Sequence, residues 1–178
     1  MEAKKLKLQE LKRLSLDEYK ETPKLPIILV LDNIRSLNNV GSAFRTSDAL
    51  LVEKIYLVGI TGTPPHRDIH KTALGAQDVV TWEYVKDIET LCNQLKGEGV
   101  KLVSIEQVNN SIPLQDFVPN KNEKYALMFG NEVDGVSDYA IKNSAFCVEI
   151  PQFGTKHSFN VSVTMGIVLW EFFKKMSN

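Results

Sequence analysis

Cysteine is scarce: Cys92 and Cys147 are the two in 178 residues, and they stand far apart. With no C-x-x-C pair, a zinc ribbon, a dithiol redox motif and a disulfide framework are excluded. Histidine is nearly as rare, at His66, His70 and His157. The first two have i,i+4 spacing, but Pro64 and Pro65 stand immediately before them and no H-E-x-x-H occurs, so no metal is expected. Long apolar runs are missing as well. The longest spans 25–31, far short of the roughly 20 residues that cross a bilayer. The first ten residues, M-E-A-K-K-L-K-L-Q-E, alternate charge with leucine and carry no apolar signal core. No membrane association is expected, and a reduced cytoplasmic setting is the default. Nor does either charge dominate: 21 Lys plus Arg face 22 Asp plus Glu, for a formal net charge of −1. That excludes a strongly basic nucleic-acid coat and leaves room for a local basic patch.

What remains is a globular composition, 43% apolar and 24% charged, on a length that suits one ordinary domain. Residues 1–24 form a separate compositional unit, a helical extension ahead of a domain over 25–178. The extension carries seven basic side chains (Lys4, Lys5, Lys7, Lys12, Arg13, Lys20 and Lys24) against five acidic ones. Leu8, Leu11 and Leu14 recur at helical spacing, and Ser15 with Glu18 has the form of a capping box. Two readings stay open for it: a solvated amphipathic helix packed on the domain, or an arm that touches a partner.

From residue 25 the pattern alternates. Strands are expected at 27–31, 54–59, 79–84, 100–106, 125–130 and 146–150. Helices are expected at 38–51, 71–76, 87–96, 137–143 and 160–176. On the last of these, Val163, Ile167 and Trp170 share one face, and Lys174 and Lys175 suit its C-terminal dipole. Continuous apolar strands alternating with helices specify an α/β fold with a mostly parallel sheet flanked by helices.

In such a sheet, ligands bind beyond the carboxyl ends of the strands. Three segments there are unusual. After 27–31 comes D-N-I-R-S-L-N-N-V-G-S-A-F-R-T, where Asn38 or Asn39 can cap a helix and Gly41 permits a close backbone approach. With Arg45 this suits a phosphate or a ribose, or is a capped helix with a surface arginine. After 125–130 comes G-N-E-V-D-G-V-S, which is neither G-x-G-x-x-G nor a P-loop. It is a polar ligand loop, or a tight turn with Ser137 capping the next helix. After 146–150 comes P-Q-F-G-T-K-H-S-F-N, with Ser158 or Asn160 as the N-cap of the last helix. No G-x-S-x-G is present, so a hydrolase triad fits poorly.

Taken together and in this order, the three segments resemble the motifs of the SpoU/TrmH family of RNA ribose 2′-O-methyltransferases, in the SPOUT superfamily. They read N-N-V-G-S-A-F-R-T-S-D-A, A-L-M-F-G-N-E-V-D-G-V-S and I-P-Q-F-G-T-K-H-S-F-N-V-S-V-T-M-G-I, and the resemblance runs over about 25–175. It departs at S-L-N before Asn39, where many members have Asp-Pro, and at Phe159, where Leu is usual.

The resemblance implies a SPOUT-type sheet whose C-terminal third forms a deep trefoil knot. It implies S-adenosyl-L-methionine as cofactor, bound at Met128, Phe129, Gly130, Asn131, Ile150, Ser158 and Phe159, with 104–107 as a secondary candidate loop. It implies catalytic roles for Asn39, Arg45, Glu132, Ser158 and Asn160. Arg45 would contact a substrate phosphate or the 2′-oxygen, or act as the base. RNA contacts are expected at Arg45, Arg35, Arg67, Lys4, Lys5, Lys7, Lys12 and Arg13. The family also implies a homodimer, with the last helix and its Phe172 and Phe173 at the interface. Either tRNA or rRNA is the expected substrate, with a lean to tRNA guanosine. Two other readings are a non-catalytic knotted RNA-binding or assembly protein and a small-molecule O-methyltransferase.

Overall fold

The computed structural model describes residues 3–7, 10–11, 13–155 and 158–177. Seven strands form one sheet: β1 (Leu25–Asp32), β2 (Val52–Val58), β3 (Trp82–Val85), β4 (Lys101–Ile105), β5 (Ile112–Pro113), β6 (Tyr125–Gly130) and β7 (Phe146–Glu149). Their order is β3-β2-β1-β6-β4-β7-β5. Every adjacent pair is parallel. Six helices flank it: α1 (Leu16–Glu21), α2 (Leu37–Ala49), α3 (Arg67–Ala73), α4 (Ile88–Gly97), α5 (Asp138–Asn143) and α6 (Val161–Met176).

The central strands are apolar on both faces because both faces are covered. Side chains alternate across the sheet. Ile27, Leu29 and Leu31 join a core with Phe44, Met165, Leu169 and Phe172 of α2 and α6. Ile28 and Val30 join a second core with Leu91, Cys92 and Ala140 of α4 and α5. The same alternation splits β6: Leu127 and Phe129 face α6, while Ala126 and Met128 face α4.

The helix starts follow local chemistry. Ser15 and Glu18 form the expected capping box at α1. At α2 the cap is Ser36, whose Oγ accepts from the Asn39 N–H at 3.4 Å. Neither Asn38 nor Asn39 takes that place, so both side chains stand inside the first turn. The helix expected at 71–76 begins earlier, at Arg67, because His66 Nδ1 accepts the Asp68 N–H at 3.2 Å. His66 is thus the N-cap of α3. A 3-10 turn (Ala76–Asp78) then delays β3 to Trp82. The two-residue edge strand β5 has no counterpart among the expected elements.

The N-terminal segment splits in two. Residues 3–7 and 13–14 are exposed and outside any α-helix, so the leucine spacing does not give a helix at Leu11 or Leu14; Leu8 and Lys12 lie outside the described residues. From α1 onward the chain is docked. Tyr19 is buried in the α2–α6 core, and the Lys24 ammonium sits 4.0 Å from its ring centroid. Tyr19 thereby joins the helical extension to the core of the domain.

Candidate active site

A cavity of about 510 Å³ opens at the carboxyl ends of β4, β6 and β7. This is the edge at which parallel sheets place ligands, and the volume is that of a small-molecule site. Its apolar walls include Ile105, Phe129, Ile150, Phe159 and Val161. Its carboxylates are Glu106, Glu132, Asp134 and Glu149, and no lysine or arginine stands among its described lining residues. The lining is therefore negatively charged.

Two glycines shape one wall. A Cβ on Gly130 would stand 1.9 Å from the Gly135 carbonyl carbon and 2.1 Å from the Val136 nitrogen. Gly135 has φ of 70°, and a Cβ there would stand 2.3 Å from a Glu106 carboxylate oxygen. Only glycine lets the segment after β6 fold back this tightly. Within it, Asn131 Oδ1 accepts the N–H groups of Val133 and Asp134, both at 2.9 Å. The turn reading and the ligand-loop reading of this segment are thus compatible.

Of the residues expected at the cofactor, Phe129, Gly130, Asn131, Ile150, Ser158 and Phe159 line this cavity, as do Glu106 and Gln107 from the secondary loop. Met128 does not. Strand alternation turns it to the opposite face, where its sulfur lies 4.0 Å from Cys92 Sγ. Burial pushes the Cys92 thiol up to about 11, and the Asp32 carboxylate adds to the shift. That cysteine is a packing residue rather than a nucleophile.

Of the residues expected in catalysis, Glu132, Ser158 and Asn160 line the cavity. Asn39 reaches it through a partner: its Nδ2 donates to Glu132 Oε1 at 2.7 Å. This bond ties the first turn of α2 to the cavity rim. Asn160 is the N-cap of α6, its Oδ1 accepting from the Ser162 N–H at 2.8 Å and the Ser162 hydroxyl at 2.6 Å. Arg45 is exposed and does not line the cavity. It stands six residues beyond Asn39, about 9 Å along the helix axis. Gly41 is explained by packing, since a Cβ there would meet Thr72 Oγ1 at 2.1 Å. Its close approach is to α3 and not to a ligand.

The basic residues are dispersed. Lys4, Lys5, Lys7, Arg13 and Arg67 are exposed. Arg35 is also exposed and pairs with Asp134 at 3.4 Å, on the rim of the cavity. Phe172 is buried against Phe117 and Tyr125, so it adds nothing to the surface of α6. The exposed strip is Val163, Ile167 and Trp170, with Phe173 stacked on Trp170 at 5.6 Å. Among the described residues, no three His, Cys, Asp or Glu side chains converge as a metal site, and no helix is long and apolar enough to cross a membrane.

The model of the SpoU rRNA methylase family matches residues 26–170. The chain belongs to the SpoU rRNA methylase family. This SpoU-family chain is 30% identical over 146 residues to the 23S rRNA (guanosine-2′-O-)-methyltransferase RlmB of Neisseria meningitidis, covering 82% of the chain and 57% of that relative. It spans 57 to 64% of the length of three curated relatives that it matches. In fold it is similar to the A. aeolicus TrmH/SpoU tRNA modifying enzyme, with a TM-score of 0.80 at 24% identity over 91% of this chain and 82% of that one. It is also similar to the SpoU methyltransferase AviRb of Streptomyces viridochromogenes, solved with AdoMet. There the TM-score is 0.78 at 18% identity, over 88% of this chain and 60% of that one.

One feature of the SpoU-family chain has no counterpart among the expected site residues: Asp32, at the end of β1, is fully buried. Its available signal was positional, a carboxylate closing an apolar strand at the ligand edge of the sheet. Glu106, in the expected secondary loop just past β4, is half-buried.

Proposed function

We propose that this chain is an S-adenosyl-L-methionine-dependent RNA methyltransferase acting on a ribose 2′-hydroxyl. The observation that carries the reading is the cavity itself: apolar walls and four carboxylates, tied through Glu132 to Asn39. The residues present fit the cofactor. Phe129, Ile150 and Phe159 offer surfaces for an adenine ring, and the negative lining suits a ligand that carries ammonium and sulfonium charges. When bound, the cofactor supplies the methyl group; the protein supplies position, proton removal and exclusion of water.

A ribose hydroxyl is a poor nucleophile at neutral pH and must lose its proton as it attacks. Asn39 holds Glu132 at the rim, and Glu132 orients the sugar or accepts its proton. Ser158 borders the same space. Arg45 offers its guanidinium fork to a substrate phosphate. The exposed basic residues Lys4, Lys5, Lys7, Arg13, Arg35 and Arg67 extend that phosphate contact.

The finer assignments belong to the same reading. The substrate is tRNA or rRNA, and the cellular setting is the cytoplasm. The protein works as a homodimer through the exposed strip of α6, and the segment from β6 to α6 is threaded as a knot. Residues 3–14 are an RNA-touching arm, and no metal takes part.

The test is methyl transfer from labelled S-adenosyl-L-methionine to unmodified tRNA and rRNA, followed by alkaline hydrolysis. A labelled, alkali-resistant dinucleotide is expected, and its identity selects between the two RNAs. Cofactor binding without label in either RNA would favour the non-catalytic RNA-binding reading instead. Label in a small hydroxylated acceptor alone would favour a small-molecule enzyme.

A further inference from the structure

Two carboxylates outside the expected catalytic set grip consecutive backbone amides of the cavity loop. Asp32 Oδ2 accepts the Ser137 N–H at 2.8 Å. Glu106 Oε2 accepts the Val136 N–H at 3.0 Å. Asp32 ends β1 and Glu106 directly follows β4, and these two strands flank β6 on either side. The loop that leaves β6 is thus held from both neighbours at one point.

The remaining oxygens are engaged too. Asp32 Oδ1 accepts from Asn33 Nδ2 at 2.8 Å, and Glu106 Oε1 accepts from the Gln107 N–H at 3.0 Å. Each group therefore acts as a double acceptor. Ser137 occupies the N-cap of α5 but makes no side-chain cap bond. The Asp32 carboxylate takes the Ser137 amide at that helix start instead. With Gly130 packed on Gly135 and Gly135 packed on Glu106, the segment 131–135 has no slack on this side.

We propose that Asp32 and Glu106 are positioning residues that fix the 131–137 loop in its ligand-binding shape. They act on the loop's backbone, and the loop presents Asn131 and Glu132 to the cavity. The inference rests on the proposed methyltransferase reading for what the loop binds, but the clamp itself is testable without it.

The variants are Asp32→Ala and Glu106→Ala in the full chain, with Glu83→Ala on distant β3 as the control. Alanine removes both acceptor oxygens, so each variant loses its bond to the loop amide. Two readouts are needed. Amide hydrogen exchange, followed by NMR, is expected to show Val136 and Ser137 protected in the wild type, with protection falling about tenfold in the variants. The KM for S-adenosyl-L-methionine is expected to rise about tenfold, while kcat at saturating cofactor stays within about threefold. In the double variant the KM effect should be smaller than the product of the singles, because both grip one loop. Unchanged exchange at Val136 in folded Glu106→Ala would overturn the clamp, as would altered exchange with an unchanged KM. If the wild type binds no S-adenosyl-L-methionine, the methyltransferase reading fails, and the exchange data still decide the clamp alone.

Discussion

Asn39 and Arg45 lie on one helix but serve different ends of the site. Asn39 is buried and bonded to Glu132, while Arg45 is exposed and does not line the cavity. Arg45→Ala should therefore abolish methyl transfer while cofactor affinity, measured by calorimetric titration, stays within a few-fold. Equal loss of both would make Arg45 a structural residue. Cys92 gives a second prediction at this scale. Its thiol is pushed up to about 11, first by burial, so the folded chain holds this proton more tightly than the unfolded one. That contribution to stability is complete below the ordinary thiol pKa of about 8.5 and is lost as pH rises toward 11. The urea midpoint should fall between about pH 8.5 and 11, and part of the fall should vanish in Cys92→Ala. Native Cys92 should also resist iodoacetamide at pH 8, where the unfolded thiol reacts.

Elements add what single residues cannot. The N-terminal segment is two units: a stretch whose described residues 3–7, 10, 13 and 14 are exposed, and α1, whose Tyr19 enters the core. Removing residues 1–14 should raise the KM for RNA with little change in thermal stability, since none of the described residues that leave is buried. Removing residues 1–22 takes Tyr19 as well and should cost about 3 kcal/mol by urea denaturation. An unchanged KM in the shorter deletion would remove the arm from the RNA account. The terminal helix α6 is apolar on two sides. Its inner side packs Met165, Leu169 and Phe172, and its outer side leaves Val163, Ile167 and Trp170 between 38 and 52% exposed. An apolar strip of this kind marks an interaction surface. Ile167→Glu should convert a dimer to a monomer in sedimentation without loss of fold; a wild type already monomeric at micromolar concentration would end the dimer reading.

For the whole molecule, the alternation of apolar strands with helices was enough to read the parallel sheet, because two covered faces leave a continuous apolar signature in β1 and β6. Motif order brought Phe129, Gly130, Glu132, Ile150 and Ser158 into one cavity. What escaped was tertiary. Met128 is separated from the site by the strand's two-residue period, which sends it to the other face. The cap at α2 went to Ser36 because the helix began at Leu37, two to three residues ahead of where an asparagine cap would start it. Phe172 and Trp170 both read as apolar positions of one helix, and only packing decides which is covered. Asp32 was not among the expected residues, and Glu106 was expected only within a loop; their partners are backbone amides about 105 and 30 residues further on, set by the fold.

The cavity beyond β4, β6 and β7, as the proposed S-adenosyl-L-methionine site, is open to one decisive measurement: ultraviolet cross-linking of the methyl-labelled cofactor to the protein, followed by peptide mapping. Label is expected within 129–135 or 150–161, competed by unlabelled cofactor. Competable label confined to peptides outside those segments, or no specific label at all, would show that the cofactor binds elsewhere or not at all.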